Sequence, residues 1–341
     1  MKITKFLIPV FVAFIVFSCS SEDDISWKEI SSSETPSVRY DTCSFYQESN
    51  NSFYIIGGRS SQNQRYNDVW KFSIADKEWS KVSVSGTSLD SGGRMNYCVY
   101  DDKNDIAYLY GKNGSGNALP SNILKYYVNQ NKLEELASSS IPDTSLRGHS
   151  ISLLKSGLSE PSLIIFGGED AGGTINNDIR VFSINSKTFE KLNVSGTKPS
   201  PRTFHTAAIS DSKLIIIGGK ANSGAINDIW SFDFTTKKWT QVNSNIPLKG
   251  YYNSSFYNKN NNSILFYGGK NSNDNLSNFL KYDINENSWE TIDNSPKPGA
   301  LSGSAIFVSK NEYFYIFGGN FLNDKNESTS TNKTWSYFLG N

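Results

Sequence analysis

The chain of 341 residues carries 33 Lys+Arg against 33 Asp+Glu and only two histidines, so its net charge is zero at neutral pH. No overall field recruits nucleic acid or an anionic membrane surface, and nucleic acid is not an expected partner. Aromatic residues reach 13% and Trp seven, against two Met, and Asn, Ser, Gly and Thr are abundant. This mix favours many short strands joined by polar turns over helices. No long apolar stretch of period 3.6, no coiled-coil heptad and no metal-type Cys/His cluster is present, so neither a metal nor a cofactor is expected.

At the N-terminus, Lys2 and Lys5 precede the apolar run Phe6 to Phe17. That run has the length of a signal-peptide core and is short for a membrane span. It ends Val16-Phe17-Ser18-Cys19, which resembles a bacterial lipobox, although Phe17 stands where a small residue is more usual. The reading is a lipoprotein signal peptide over 1–18, lipidation at Cys19, and an acidic tether over 19–25 that contains Glu22-Asp23-Asp24. The competing reading is an ordinary signal peptide with a coincidental cysteine. The first makes the protein exported and lipid-anchored to the outer membrane, on the cell surface, touching the membrane through its anchor alone.

From there on the chain repeats itself. Six hydrophobic runs end on glycine: Tyr54 to Gly58, Tyr108 to Gly111, Ile164 to Gly168, Ile215 to Gly219, Leu265 to Gly269 and Tyr315 to Gly319. Their first glycines (57, 111, 167, 218, 268, 318) are spaced by 54, 56, 51, 50 and 50 residues. A second strand-like segment precedes each run, from Thr42, Tyr97, Ser150, Thr206, Ser254 and Ser304 respectively. After each run comes a polar loop and then a segment such as Asn67-Asp-Val-Trp70 or Asn227-Asp-Ile-Trp230. Nine residues after the last position of the first five such segments stand Trp79, Leu133, Phe189, Trp239 and Trp289, each opening another short strand. Four strands per unit, repeated about every 50 residues, is the sequence form of a propeller blade.

The paired glycines, the Asn-Asp-x-Trp segment, the second Trp and the basic residue ahead of a unit together resemble the Kelch-repeat β-propellers. The resemblance spans residues 26–341 and implies an all-β, six-bladed Kelch-type propeller. Unit 2 departs from it, with Lys112 in place of the second glycine and no Trp. Glycine pairs allow a sharp turn at a strand end, and aromatic faces fill the wedge between neighbouring sheets. The sixth unit has no fourth strand of its own, because nine residues beyond Trp335 runs past Asn341. Trp27-Lys-Glu-Ile30 matches Trp79-Ser-Lys-Val82, so the N-terminal strand is expected to complete the last blade as its outermost strand. Cys43 and Cys98 occupy the same position in adjacent units, each four residues after an Arg. A disulfide is conceivable on export, but such positions can lie beyond the roughly 7 Å that a bridge tolerates. Two small buried side chains are the favoured reading.

Function falls to the loops. Arg39, Arg94, Arg147, Arg202 and Lys249 open their units, and Arg59, Arg65, Asn113, Glu169, Lys220, Lys270 and Asn320 follow the glycine runs. Both sets lie on one face near the axis of a propeller, where they would line a funnel suited to a carboxylate, a sulfate or a sugar. The opening arginines also read as braces for strand ends; Arg59 and Arg65, outside the shared pattern, are the better ligand residues. His149 and His205 precede inner strands of adjacent units and join the ligand candidates, without companions for a metal. The galactose-oxidase branch of this superfamily needs copper on His and Tyr, and this sequence has no Tyr-His pair. The sialic-acid mutarotases, propellers of similar size, place Glu after the glycine and Arg six residues on; here Glu169 fits, as a weak catalytic candidate, but Ile175 stands second. The expectation is a non-catalytic binding module for a glycan or an envelope protein, with mutarotation and a passive envelope scaffold as alternatives.

Overall fold

The computed structural model describes residues 26–89, 94–112, 121–137, 146–243, 245–248, 250–293, 295 and 298–340. The predicted signal peptide, Cys19, the acidic tether, Asn113 and Lys249 lie outside the described residues, as does the side chain of Arg94. Six antiparallel sheets of four main strands stand in a ring. In blade 1 the strands, A to D from the axis outward, are Cys43–Gln47, Ser52–Ile56, Val69–Ser73 and Glu78–Val82. The other A strands are Arg94–Asp101, Ser150–Leu154, Thr206–Ser210, Ser254–Asn258 and Ala305–Val308. A short strand, Ser85–Gly86, runs parallel to the D strand of blade 2.

The ring closes as the Trp pattern requires. Strand Lys28–Ile30 pairs antiparallel with Thr334–Phe338, Lys28 opposite Ser336 and Ile30 opposite Thr334. It is the D strand of blade 6 and covers an edge that would otherwise expose a row of unpaired backbone groups.

The core consists of six apolar clusters, one for each blade interface, and each holds a large residue from the D strand of the later blade. Leu133 lies between blades 1 and 2, Phe189 between 2 and 3, Trp239 between 3 and 4, and Trp289 between 4 and 5. Trp27 fills the 5–6 interface and Trp79 the 6–1 interface. One sequence position therefore supplies every wedge, at on the order of 150–250 Å² of buried surface per aromatic ring.

Hairpin turns repeat a smaller device. A Tyr near the end of a strand donates its hydroxyl to an Asn or Asp five residues on: Tyr46 to Asn51, Tyr100 to Asp105, Tyr126 to Asn131, Tyr257 to Asn262 and Tyr282 to Asn287, at 2.6–3.0 Å. Each acceptor has a left-handed backbone, with φ between 48° and 57°. Asn and Asp tolerate that conformation better than most residues.

Short A–B and C–D hairpins occupy one face of the ring, the turn face. The B–C loops and the linkers between blades occupy the other, the loop face. The axis opens on the turn face as a cavity of about 560 Å³ walled by the six A strands.

Cys43 and Cys98 form a disulfide between the A strands of blades 1 and 2, with Cα atoms 5.3 Å apart. This corrects the expectation of two separate thiols. Adjacent blades diverge outward, and the innermost strands, where both cysteines sit, are where they come closest.

Candidate functional site

The loop face is built from the sharp turn after each B strand. In blade 1, Gly57 (φ 65°) donates its N–H to the Asp68 carbonyl, and Gly58 (φ 91°) follows. A Cβ on Gly58 would lie 2.6 Å from Cγ2 of Thr42, the residue just ahead of strand A. The corresponding atoms over Gly168 and Gly219 are the Cβ atoms of His149 and His205, at 2.8 and 2.9 Å. The second glycine therefore makes room for the side chain that enters the inner strand. Blade 2, with Lys112 there, instead extends its B strand through Ile106–Lys112 and shifts register between Arg94 and Tyr97.

Arg39 and Arg202 are braces. Each is almost fully buried. Arg39 donates to Asp68 through both terminal nitrogens (2.5 and 3.0 Å), to the Gly57 carbonyl and to the Ser37 carbonyl. Arg202 repeats this with Asp228, Gly218 and Ser200. Asp68 and Asp228 in turn accept the indole N–H of Trp70 and Trp230, each at 2.8 Å. The Asn-Asp-x-Trp segment thus binds the opening Arg to the glycine turn. Of the two readings of the opening arginines, Arg39 and Arg202 match the brace: their guanidinium groups are filled with internal partners.

Arg147 differs. It lies three residues before its A strand, whereas Arg39 and Arg202 lie four before theirs, so it aligns with Tyr40, Thr203, Tyr251 and Ser302. Its side chain is 54% exposed and is paired with Glu169. In blade 3 the buried brace comes from Arg180, at the Trp position, through Asn176 and Asp178. Glu169 is engaged by Arg147, and its backbone bridges Ile175, which supplies no charge at the second mutarotase position.

The histidines point inward. His149 packs against the rings of Tyr97 and Tyr110, with centroids at 4.0 and 5.0 Å. Burial, reinforced by the Arg180 charge, pushes its pKa down to about 3. Burial lowers His205 well below the usual imidazole range, the Arg202 charge adding to it, and its Nε2 shares a 2.9 Å hydrogen bond with Ser150 Oγ. The His149 ring is buried away from any ligand, whereas His205 is half-buried, with its Nε2 engaged by Ser150.

What the loop face does gather is a cation-and-tyrosine cradle. Backbone bridges pair Tyr40 with Arg59, Thr203 with Lys220 and Tyr251 with Lys270, around the axis. Arg59 lies 4.6 Å over Tyr40, and Lys220 lies 5.2 Å over Tyr251. Lys270 lies 5.4 Å from Tyr252 and 5.8 Å from Tyr251. Arg59 also donates to Asp41 at 2.8 Å, and its backbone bridges Arg65. Burial raises the Asp41 carboxyl pKa against the pull of Arg59. Burial lowers that of Lys270; Asp41 opposes the shift, and Lys220 and Arg59 add to it.

Beneath the cradle a chain of backbone bonds draws in the axis: Asp41 N–H to Gly303, Gly303 to Tyr252, Tyr252 to Phe204 and Phe204 to Gly148, at 2.7–3.4 Å. All five residues have φ between 54° and 65°, an outlying conformation for rings as large as Phe204 and Tyr252. Sequence reasoning named Arg59, Arg65, Lys220 and Lys270 but missed Tyr40, Asp41, Tyr251 and Tyr252. Their signal was position alone, two or three residues ahead of an inner strand.

The family profile described as the KLHDC2/KLHL20/DRC7 Kelch-repeats domain matches residues 103–319, and that of the Attractin/LZTR1 beta-propeller matches residues 12–168. Kelch repeat-containing protein 2 of Saccharomyces cerevisiae is 25% identical over 222 residues, 61% of this chain and 24% of that protein. Acyl-CoA-binding domain-containing protein 5 of Arabidopsis thaliana is 32% identical over 101 residues, 29% of this chain and 15% of that protein. Rab9 effector protein with kelch motifs of Bos taurus is 37% identical over 84 residues, 24% of this chain and 22% of that protein. The chain thus spans less than a quarter of the length of these curated relatives. A match over residues 103–319, on a ring of six blades, shows that the chain belongs to the family of Kelch-repeat β-propellers.

Proposed function

We propose that this chain is an envelope-anchored interaction module whose loop face holds an acidic partner, an anionic glycan or an acidic segment of an envelope protein. The observation that carries the reading is the cradle of Arg59, Lys220 and Lys270 around Tyr40, Tyr251 and Tyr252. Among the described residues, neither Lys220 nor Lys270 has a hydrogen-bonded acid. Amines held over aromatic faces and partly withdrawn from water attract a carboxylate or sulfate, while the rings offer stacking surface to a sugar.

Two further observations support an exported, anchored setting. The Cys43–Cys98 disulfide suits an oxidising compartment. The chain reaches strand Lys28–Ile30 from the turn face, because Lys28 pairs toward the C-terminal end of Thr334–Phe338. A lipid on Cys19 would therefore hold the turn face toward the membrane and leave the cradle pointing away.

A glycan array that includes uronic and sialic acids, together with peptides from the envelope, tests the reading. Binding of acidic members should fall on the order of tenfold in Lys270→Ala and in Lys220→Ala, the scale of one hydrogen bond to a charged group. Binding that these variants leave intact removes the cradle from the function, and the absence of any binding favours a passive scaffold. Anomer exchange of sialic acid catalysed by the wild type would favour the mutarotase.

A further inference from the structure

The turn-face cavity and the interblade disulfide meet. The 560 Å³ space lies within the range of small-molecule sites, about 300–1,000 Å³, and is far too narrow for a protein. Cys98 is on its wall, with Ser44, Val99 and Ala207, while Cys43 is turned away into the apolar cluster between blades 1 and 2. A strap crosses the mouth. Asp102 of blade 2 is bound to Lys259 of blade 5, on the opposite side of the ring, and to Lys155 of blade 3 at 2.7 Å. Lys155 also reaches Asp101 at 2.8 Å. With those charges neutralised, the rim retains Glu48, Asp211 and Glu312 against Lys310, none of them in an ion pair among the described residues.

We propose that the Cys43–Cys98 disulfide is a modification site for small thiols admitted through this channel, with neutral or cationic thiols preferred over anionic ones. A small thiolate attacks Cys98 Sγ, the sulfur on the cavity wall. A new S–S bond forms there, the bond to Cys43 breaks, and the electron pair leaves on Cys43 Sγ, which takes up a proton. A second small thiolate attacks its own kind in the mixed disulfide, releases a small disulfide and leaves Cys98 as the thiolate. Two thiols are oxidised and one protein disulfide is reduced. Cys98 is the point of attack because a thiolate must approach a sulfur it can reach. The acidic rim slows an anionic thiol before it enters.

Cysteamine, 2-mercaptoethanol and 2-mercaptoethanesulfonate are of similar size and differ in charge. Their reduction rates on the native chain, read by peptide mapping of residues 43 and 98, are divided by the rates on the urea-unfolded chain. The normalised rates should fall in that order, with several-fold to tenfold between the ends, and 0.5 M salt should compress the spread. Thioredoxin should act on the native chain at least a hundredfold more slowly than on the unfolded one. The triple variant Glu48→Gln, Asp211→Asn, Glu312→Gln, which leaves Lys310 as the unpaired charge of the rim among the described residues, should abolish or reverse the order of the three thiols while melting at an unchanged temperature. Equal normalised rates in the wild type, thioredoxin acting equally on both forms, or the charge order persisting in the triple variant would each overturn the proposal.

Discussion

A single residue of offset separates a brace from a surface charge. Arg39 and Arg202, four residues before their A strands, are buried on Asp68 and Asp228; Arg147, three before, lies on the surface with Glu169. The arginines were visible in the sequence, but this offset was not, because the shift is carried by backbone register and not by residue type. His149 and His205 give the residue scale its prediction. His149 is buried, His205 is half-buried, and both have depressed pKa values, so the folded state binds fewer protons than the unfolded one below the ordinary imidazole value of about 6.5. Stability should therefore fall as pH drops from about 6.5 toward 3, by about 2 kcal/mol at pH 5 through His149, with His205 acting in the same direction. Urea titrations at pH 7 and pH 5 measure it. His149→Gln should reduce the slope by about one proton; a slope that the variant does not change would remove His149 from the pH response.

The strand Lys28–Ile30 is the element on which closure rests. Trp27 packs on Tyr267, Phe279, Phe314 and Tyr337 and donates its indole N–H to Asp293 at 2.7 Å. Trp27→Ala should cost about 3–5 kcal/mol, the usual range for a large aromatic removed from a core. Deletion of residues 26–32 should expose the edge of Thr334–Phe338 and produce aggregation. Thermal unfolding of the deletion at the wild-type temperature would refute the latch. This element was legible because Trp27-Lys-Glu-Ile30 repeats Trp79-Ser-Lys-Val82 and every wedge falls on that position. The disulfide was not legible, since repeat spacing places both cysteines on equivalent strands without giving their distance from the axis. It closes a span of 55 residues and restrains the unfolded chain by about 4 kcal/mol in the chain-entropy account.

At the scale of the whole molecule the ring has two unlike faces. The loop face concentrates Arg59, Lys220 and Lys270, whereas the turn face leaves Glu48, Asp211 and Glu312 around a cavity. A net charge of zero conceals this division. The loop-face cations could be read from the residues after each glycine run. The cavity could not, because Ser44, Val99 and Ala207 on its wall form no motif and become neighbours only when six strands meet at one axis. The Asp102–Lys259 pair likewise joins positions 157 residues apart.

The measurement that bears most directly on the cradle is the anomalous scattering of bromide soaked into crystals of the chain. Bromide should concentrate beside Lys220, Lys270 and Arg59 on the loop face and be absent from the rim of the turn-face cavity. Bromide at the turn-face rim, with none beside Lys270, would contradict the account.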